Sequence, residues 1–182
     1  ISPDGRVQST YEKIHLFDIN LIGQAPIRES DVFSHGESAQ MIDLNGWNFG
    51  QSICYDLRFS DLYSYYSHHD VDALLVPAAF LVKTGLAHWE TLLRARAIET
   101  QSYVIAAAQA GKHHGAKAVS KDSFRETFGH SLVIDPWGQV EMMAKTDGPE
   151  VMVTKLLRSK IQQVRKQIPM KNHRRQWTQA KG

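Results

Sequence analysis

A layered α/β architecture follows from three features of the 182-residue sequence. Short apolar runs of strand length alternate with segments of helical periodicity. One run, 71–76, is continuously apolar, as in a strand buried on both faces of a parallel sheet. Two turn signals, Asn45-Gly46 and Asp135-Pro-Trp-Gly138, join other runs as hairpins.

Residues 6–17 alternate, which predicts a strand: Tyr11, Lys13, His15 and Phe17 share one face, Glu12, Ile14 and Leu16 the other. Taken alone, Lys13 reads better as an exposed edge lysine, which discourages strand pairing. Residues 18–37 form a long irregular stretch with Gly23, Pro26 and Gly36. Such stretches inside compact domains are usually functional. Runs 41–44 and 47–54 flank the Asn45-Gly46 turn as a hairpin. Cys54, the single cysteine, ends the second run, and Ser60 reads as the N-cap of a short helix over 62–68. A cysteine at a strand-to-helix elbow is held at the mouth of a sheet, with outward N–H groups just beyond it as donors for an oxyanion. A small buried apolar cysteine fits the same spacing.

Residues 86–100 form the clearest helix, with Trp89, Leu92, Leu93, Ala97 and Ile98 on one face. Glu90 and Arg94 stand four apart, as in a simple surface pair, yet Glu90 falls in the first turn, just after the loop that follows a buried strand, at the end of the sheet where α/β sites gather. Residues 103–108 read as a buried strand, 111–128 as a polar loop, and 131–134 and 139–144 as strands around the second turn. A last strand over 151–154 precedes a helix over about 155–165. His113-His114 lacks a third ligand at useful spacing, so no metal is expected. Two substantial helices before the last are thin cover for two sheet faces, which predicts that part of the layering lies outside these residues.

The length suits one domain, and 42% hydrophobic with 22% charged residues suits a globular one. One cysteine excludes an internal disulfide framework and fits a reducing compartment. No apolar run reaches the ~18 residues of a membrane span. Charge is uneven: the last 28 residues hold nine Lys/Arg and no acid, leaving the rest at −7. This basic end lacks a nucleic-acid motif and reads as a solvated helix face with a tail docked on an acidic body.

Four segments, in order, resemble motifs of the nitrilase (carbon–nitrogen hydrolase) superfamily. Tyr11-Glu-Lys-Ile-His-Leu-Phe-Asp18 is similar to its lysine motif and Ile53-Cys-Tyr-Asp-Leu-Arg-Phe59 to its cysteine motif. Ala87-His-Trp-Glu-Thr-Leu-Leu-Arg-Ala-Arg-Ala-Ile-Glu99 resembles its second-glutamate helix, and Gly129-His-Ser-Leu-Val-Ile-Asp-Pro-Trp-Gly138 its downstream hairpin. Glu29-Ser-Asp31 and Pro77-Ala-Ala-Phe80 point to the Nit branch. The resemblance implies a four-layer α-β-β-α sandwich, with residues 1–182 as the C-terminal two-thirds of one domain whose N-terminal portion is absent. A basic helix and tail follow from about 155.

The resemblance further implies an amidase that converts a carboxamide to a carboxylate and ammonia. Cys54 carries over as nucleophile, Lys13 as the catalytic lysine and Glu90 as the glutamate supporting it. The Tyr55 N–H would help bind the oxyanion, while Arg58 and Phe80 would bind substrate. The family's first glutamate has no counterpart here; Glu12 does not match its motif. The implied substrate is a small α-keto ω-amide such as that of deaminated glutathione, with α-ketoglutaramate as the alternative. An inactive nitrilase-like assembly module is the other reading. No cofactor or metal is implied. The implied partners are the small amide, the chain's own missing N-terminal segment and further copies in a homodimer or larger homo-oligomer. Nucleic acid and membrane are not among them. The implied compartment is the cytoplasm, with a mitochondrial leader ahead of Ile1 left open.

Overall fold

The computed structural model describes residues 1–22, 26–114, 124–146 and 148–175. Its centre is a six-stranded mixed sheet. The strands are β3 (Met41–Leu44), β4 (Trp47–Gln51), β5 (Ala73–Leu75), β6 (Tyr103–Ala106), β9 (Leu132–Ile134) and β10 (Val140–Met143), in spatial order β10-β9-β6-β5-β4-β3. β4, β5 and β6 run parallel, with antiparallel hairpin strands at both edges. Asn45 and Gly46 take φ of 54° and 78°, the left-handed pair a tight hairpin turn requires.

Helices α1 (Ser60–His68) and α2 (Val82–Thr100) cross between the parallel strands and cover one sheet face. Strand alternation sends Leu74, Val104 and Ala106 to that face, against Tyr63, Tyr66, Trp89, Leu93 and Ala97. Gly50 fits beneath Tyr66: a Cβ there would stand 2.9 Å from its ring. Helix α3 (Arg158–Gln167) lies on the opposite face, where buried Ile161 meets Ala73 and Tyr103. Lys160 on α3 contacts buried Asp135 at 2.6 Å and Glu141 at 2.7 Å, pinning the helix to the β9–β10 hairpin. Trp47, Phe49 and Ile105 remain half-buried on this second face. The described residues thus build the α and β layers of one half of the expected sandwich, with thin cover beyond.

Several expectations are corrected. Residues 6–17 form no strand; the segment runs extended and is held by side chains instead of a ladder. Residues 151–154 form none either, and Val151 and Val153 are exposed. Phe59, not Ser60, precedes the first residue of α1. Helix α2 begins four residues earlier than predicted, because Gly85 packs against Phe128 and does not break it, and α3 begins three later. The supposed polar loop contains a second antiparallel pair, β7 (Ala110–His114) and β8 (Phe124–Phe128). Residues 115–123, between them, lie outside the described residues. The short strands β1 (Asp18–Ile19) and β2 (Ile27–Arg28) pair within the long irregular stretch, and α4 (Met170–His173) follows α3.

Candidate active site

Beyond β4 the chain keeps pairing with the segment after β5: Ser52 N donates to Leu75 O at 3.1 Å and Cys54 N to Pro77 O at 2.9 Å. Cys54 then turns sharply with φ of 50° and opens a short 3₁₀ turn, Cys54–Arg58. A non-glycine residue in that region costs about 1–3 kcal/mol and persists only where its surroundings fix it. The fixing group is Asp56, fully buried. Its carboxylate accepts from Ile53 N at 2.9 Å, His15 N at 2.8 Å and Tyr11 Oη at 2.7 Å, and lies 2.8 Å from His15 Nδ1. One carboxylate therefore ties the lysine-bearing segment to the cysteine elbow. Burial, reinforced by Asp56, pushes the Tyr11 phenol far above its usual range, so Tyr11 stays a donor.

Lys13 emerges from that segment and forms an ion pair with Glu29, whose carboxylate also accepts Phe17 N at 2.6 Å. The Lys13 side chain is 11% exposed and that of Glu29 26%. Glu29 follows β2, on a 3₁₀ turn over Glu29–Asp31. The β1–β2 pair thus carries a carboxylate back over the lysine. Lys13, Glu29 and Cys54 line one cleft of about 750 Å³, together with Phe33, Ala79 and Arg125. Burial raises the Cys54 thiol pKa. A backbone hydrogen bond with Ala79 and the charges of Lys13 and Arg125 pull it down, while Glu29 pushes it up. Burial wins, so Lys13 alone does not make Cys54 a thiolate at neutral pH.

The expected support of Lys13 by Glu90 is corrected. Trp89, Leu93 and Ala97 take the buried side of α2. Glu90 therefore faces outward, half-exposed, and pairs with Arg94 at 3.4 Å, while Glu29 is the carboxylate on Lys13. Arg58 lies beside the main cleft, in a narrow recess that Cys54 also lines, with Tyr55, Phe80 and Thr84. Its guanidinium sits 5.2 Å from the Phe80 ring centre and 5.7 Å from that of Tyr55, with Nη1 3.2 Å from His88 Nδ1. Buried Phe80 packs tilted on Trp89 at 4.8 Å. The Tyr55 ring meets Phe17 and Phe59 edge-on, and its N–H is among those that a helical turn leaves over at its start. Glu29 and Arg125 were missed as site residues because no fixed spacing joins either to Lys13 or Cys54. Their signal was membership of long polar stretches. No cluster of metal-binding side chains occurs among the described residues.

A lysine–carboxylate pair and a cysteine elbow at the carboxyl ends of parallel strands define the class: the chain belongs to the carbon–nitrogen hydrolase family, whose sequence model matches residues 1–166. Within it, the chain is 44% identical to the deaminated glutathione amidase of Bos taurus over 172 residues, which is 94% of this chain and 50% of that protein. The chain thus spans about half the length of this curated relative. Among solved structures it resembles the Caenorhabditis elegans NitFhit protein, with TM-score 0.78 and 38% identity over 94% of this chain and 40% of that one. It also resembles Saccharomyces cerevisiae Nit3, with TM-score 0.76 and 32% identity over 92% and 55% of the two chains. The α/β fold is of the nitrilase type.

Proposed function

We propose that this chain is part of an amidase that hydrolyses the carboxamide of a small α-keto acid amide, of the deaminated glutathione kind. The observation that carries the reading is the meeting of Cys54, Lys13 and Glu29 around one cleft. The kinship with deaminated glutathione amidases supports the substrate class.

In this reading Cys54 Sγ attacks the amide carbon while its proton passes to a general base. That base is the glutamate which the family resemblance puts ahead of Lys13, outside these residues. The raised thiol pKa makes such a base necessary. The carbonyl electrons move onto oxygen, where the Lys13 ammonium and the Tyr55 N–H receive the charge; one such donor is worth about 3–4 kcal/mol. The C–N bond then breaks, and the nitrogen takes the proton from the base and leaves as ammonia. Water attacks the thioester, the base accepts its proton, and carboxylate and free thiol return. Glu29 keeps Lys13 charged and aimed; it is a positioning residue. The protein acts as a homo-oligomer on a small-molecule partner.

The test is ammonia release from deaminated glutathione by the full-length protein. Cys54→Ala is expected to abolish it; turnover surviving in that variant would reject the proposal.

A further inference from the structure

Glu29 holds the amine of Lys13, but that amine meets Cys54 only if the Lys13 backbone also stands at the right place. No ladder fixes this backbone, since residues 6–17 lie outside every strand. Two ties bracket it instead. Tyr11, two residues before Lys13, donates its hydroxyl to Asp56 Oδ2 at 2.7 Å. His15, two residues after, donates its backbone N–H to Asp56 Oδ1 at 2.8 Å. Both ties end on one buried carboxylate, in the turn that Cys54 opens. On a third side Gly36 N donates to Lys13 O at 2.8 Å, and a Cβ at Gly36 would stand 2.2 Å from Glu12 O. Lys13 is thus the crown of a loop over residues 11–15 that closes on the nucleophile's own turn. The Tyr11 tie is a hydrogen bond to a charged acceptor, about twice as strong as a neutral one, and it rests on a single side-chain atom.

We propose that Tyr11 is a positioning residue for the amide chemistry: its hydroxyl, through Asp56, sets where the Lys13 ammonium stands relative to the Cys54 sulfur. This rests on the amidase reading and adds to it the group that holds the backbone end of the lysine, as Glu29 holds the amine end. Tyr11 does not line the cleft, so its effect reaches the substrate only through Lys13. Without the hydroxyl the loop loses one of its two ends and the ammonium is no longer held in register. Two things then weaken together: the pull of the Lys13 charge toward the thiolate, and the fit of the ammonium to the oxyanion.

Two assays on the full-length protein test it: hydrolysis of deaminated glutathione, and alkylation of Cys54 by iodoacetamide at neutral pH, read by mass spectrometry of the Cys54 peptide. Tyr11→Phe keeps the ring and removes the tie. It is expected to lower kcat about tenfold to a hundredfold with KM little changed, the cost of a misplacement of up to about 1 Å. It should also slow alkylation. Lys13→Met is expected to slow alkylation about tenfold, the effect of withdrawing one nearby opposite charge. In the Lys13→Met background, adding Tyr11→Phe should change alkylation no further, because the hydroxyl acts through the lysine. Ser9→Ala is the control: Ser9 accepts Gln51 Nε2 at 3.0 Å, a tie of the same stretch to β4 outside the bracket, and its loss should leave both rates as in wild type. A wild-type kcat in Tyr11→Phe overturns the positioning role. So does a slowing by Tyr11→Phe that persists undiminished in the Lys13→Met background, or an equal loss in Ser9→Ala. A Lys13→Met protein that matches wild type in both assays instead overturns the use of Lys13 in the amidase reading, and the role of Tyr11 with it.

Discussion

Glu29 acts on two neighbours with opposite consequences. It holds Lys13, the proposed oxyanion donor, and its negative charge raises the Cys54 pKa. Glu29→Gln should therefore slow amide hydrolysis by about 10²–10³, the cost of misplacing one oxyanion donor. The same variant should be alkylated by iodoacetamide faster than wild type at neutral pH, because the thiol pKa falls. In wild type the alkylation rate should still be climbing with pH above the free-thiol value of about 8.5. A Glu29→Gln protein slower in both assays would show that the carboxylate only maintains the fold. At this scale the sequence was informative for Cys54 and Lys13, which stand in recognisable motifs. It misdirected the supporting carboxylate to Glu90, since spacing along a helix says nothing about which loop folds back over a distant lysine. The Glu29-Ser-Asp31 signature was visible, but its partner was not.

Among the elements, α2 and the β7–β8 hairpin meet at Gly85, where a Cβ would come within 2.2 Å of the Phe128 ring. Gly85→Ala sets two effects against each other. Helix propensity alone favours alanine by about 1 kcal/mol. Forcing the methyl group into Phe128 costs about 1–3 kcal/mol, and the phenyl cannot retreat because the β8 backbone holds it through Phe128 N to Phe80 O at 2.8 Å. A net loss is expected, seen as a lower melting temperature. A raised melting temperature would show that the contact yields. The parallel strands and both covering helices were legible from apolar runs and periodicity. The strand predicted over 6–17 was not real, because alternation describes which faces are apolar and not whether a neighbouring strand exists to bond. Here the bonding falls to Asp56.

Over the whole molecule, the two sheet faces are unequally covered. Helices α1 and α2 seal one; on the other, Trp47, Phe49 and Ile105 stay half-buried beside α3. Elsewhere Val151 and Val153 are exposed. Apolar surface of this kind favours association. Residues 1–182 alone are expected to self-associate, measurable by sedimentation velocity across a concentration series. A monomer that melts cooperatively would contradict this. The thin cover was legible as too few helices for the strands; how the second face is completed is not encoded in the local pattern of these residues.

Asp56 ties the sulfur-bearing turn to the amine-bearing segment, whereas β1, β2 and the turn after β2 reach that segment through Glu29. Composition in those outer strands can therefore vary without resetting the reactive pair, provided one acidic side chain still returns to the amine. Substrate range in such a scaffold is open to loop grafting, and an engineer would exchange those strands while leaving the anchored pair untouched.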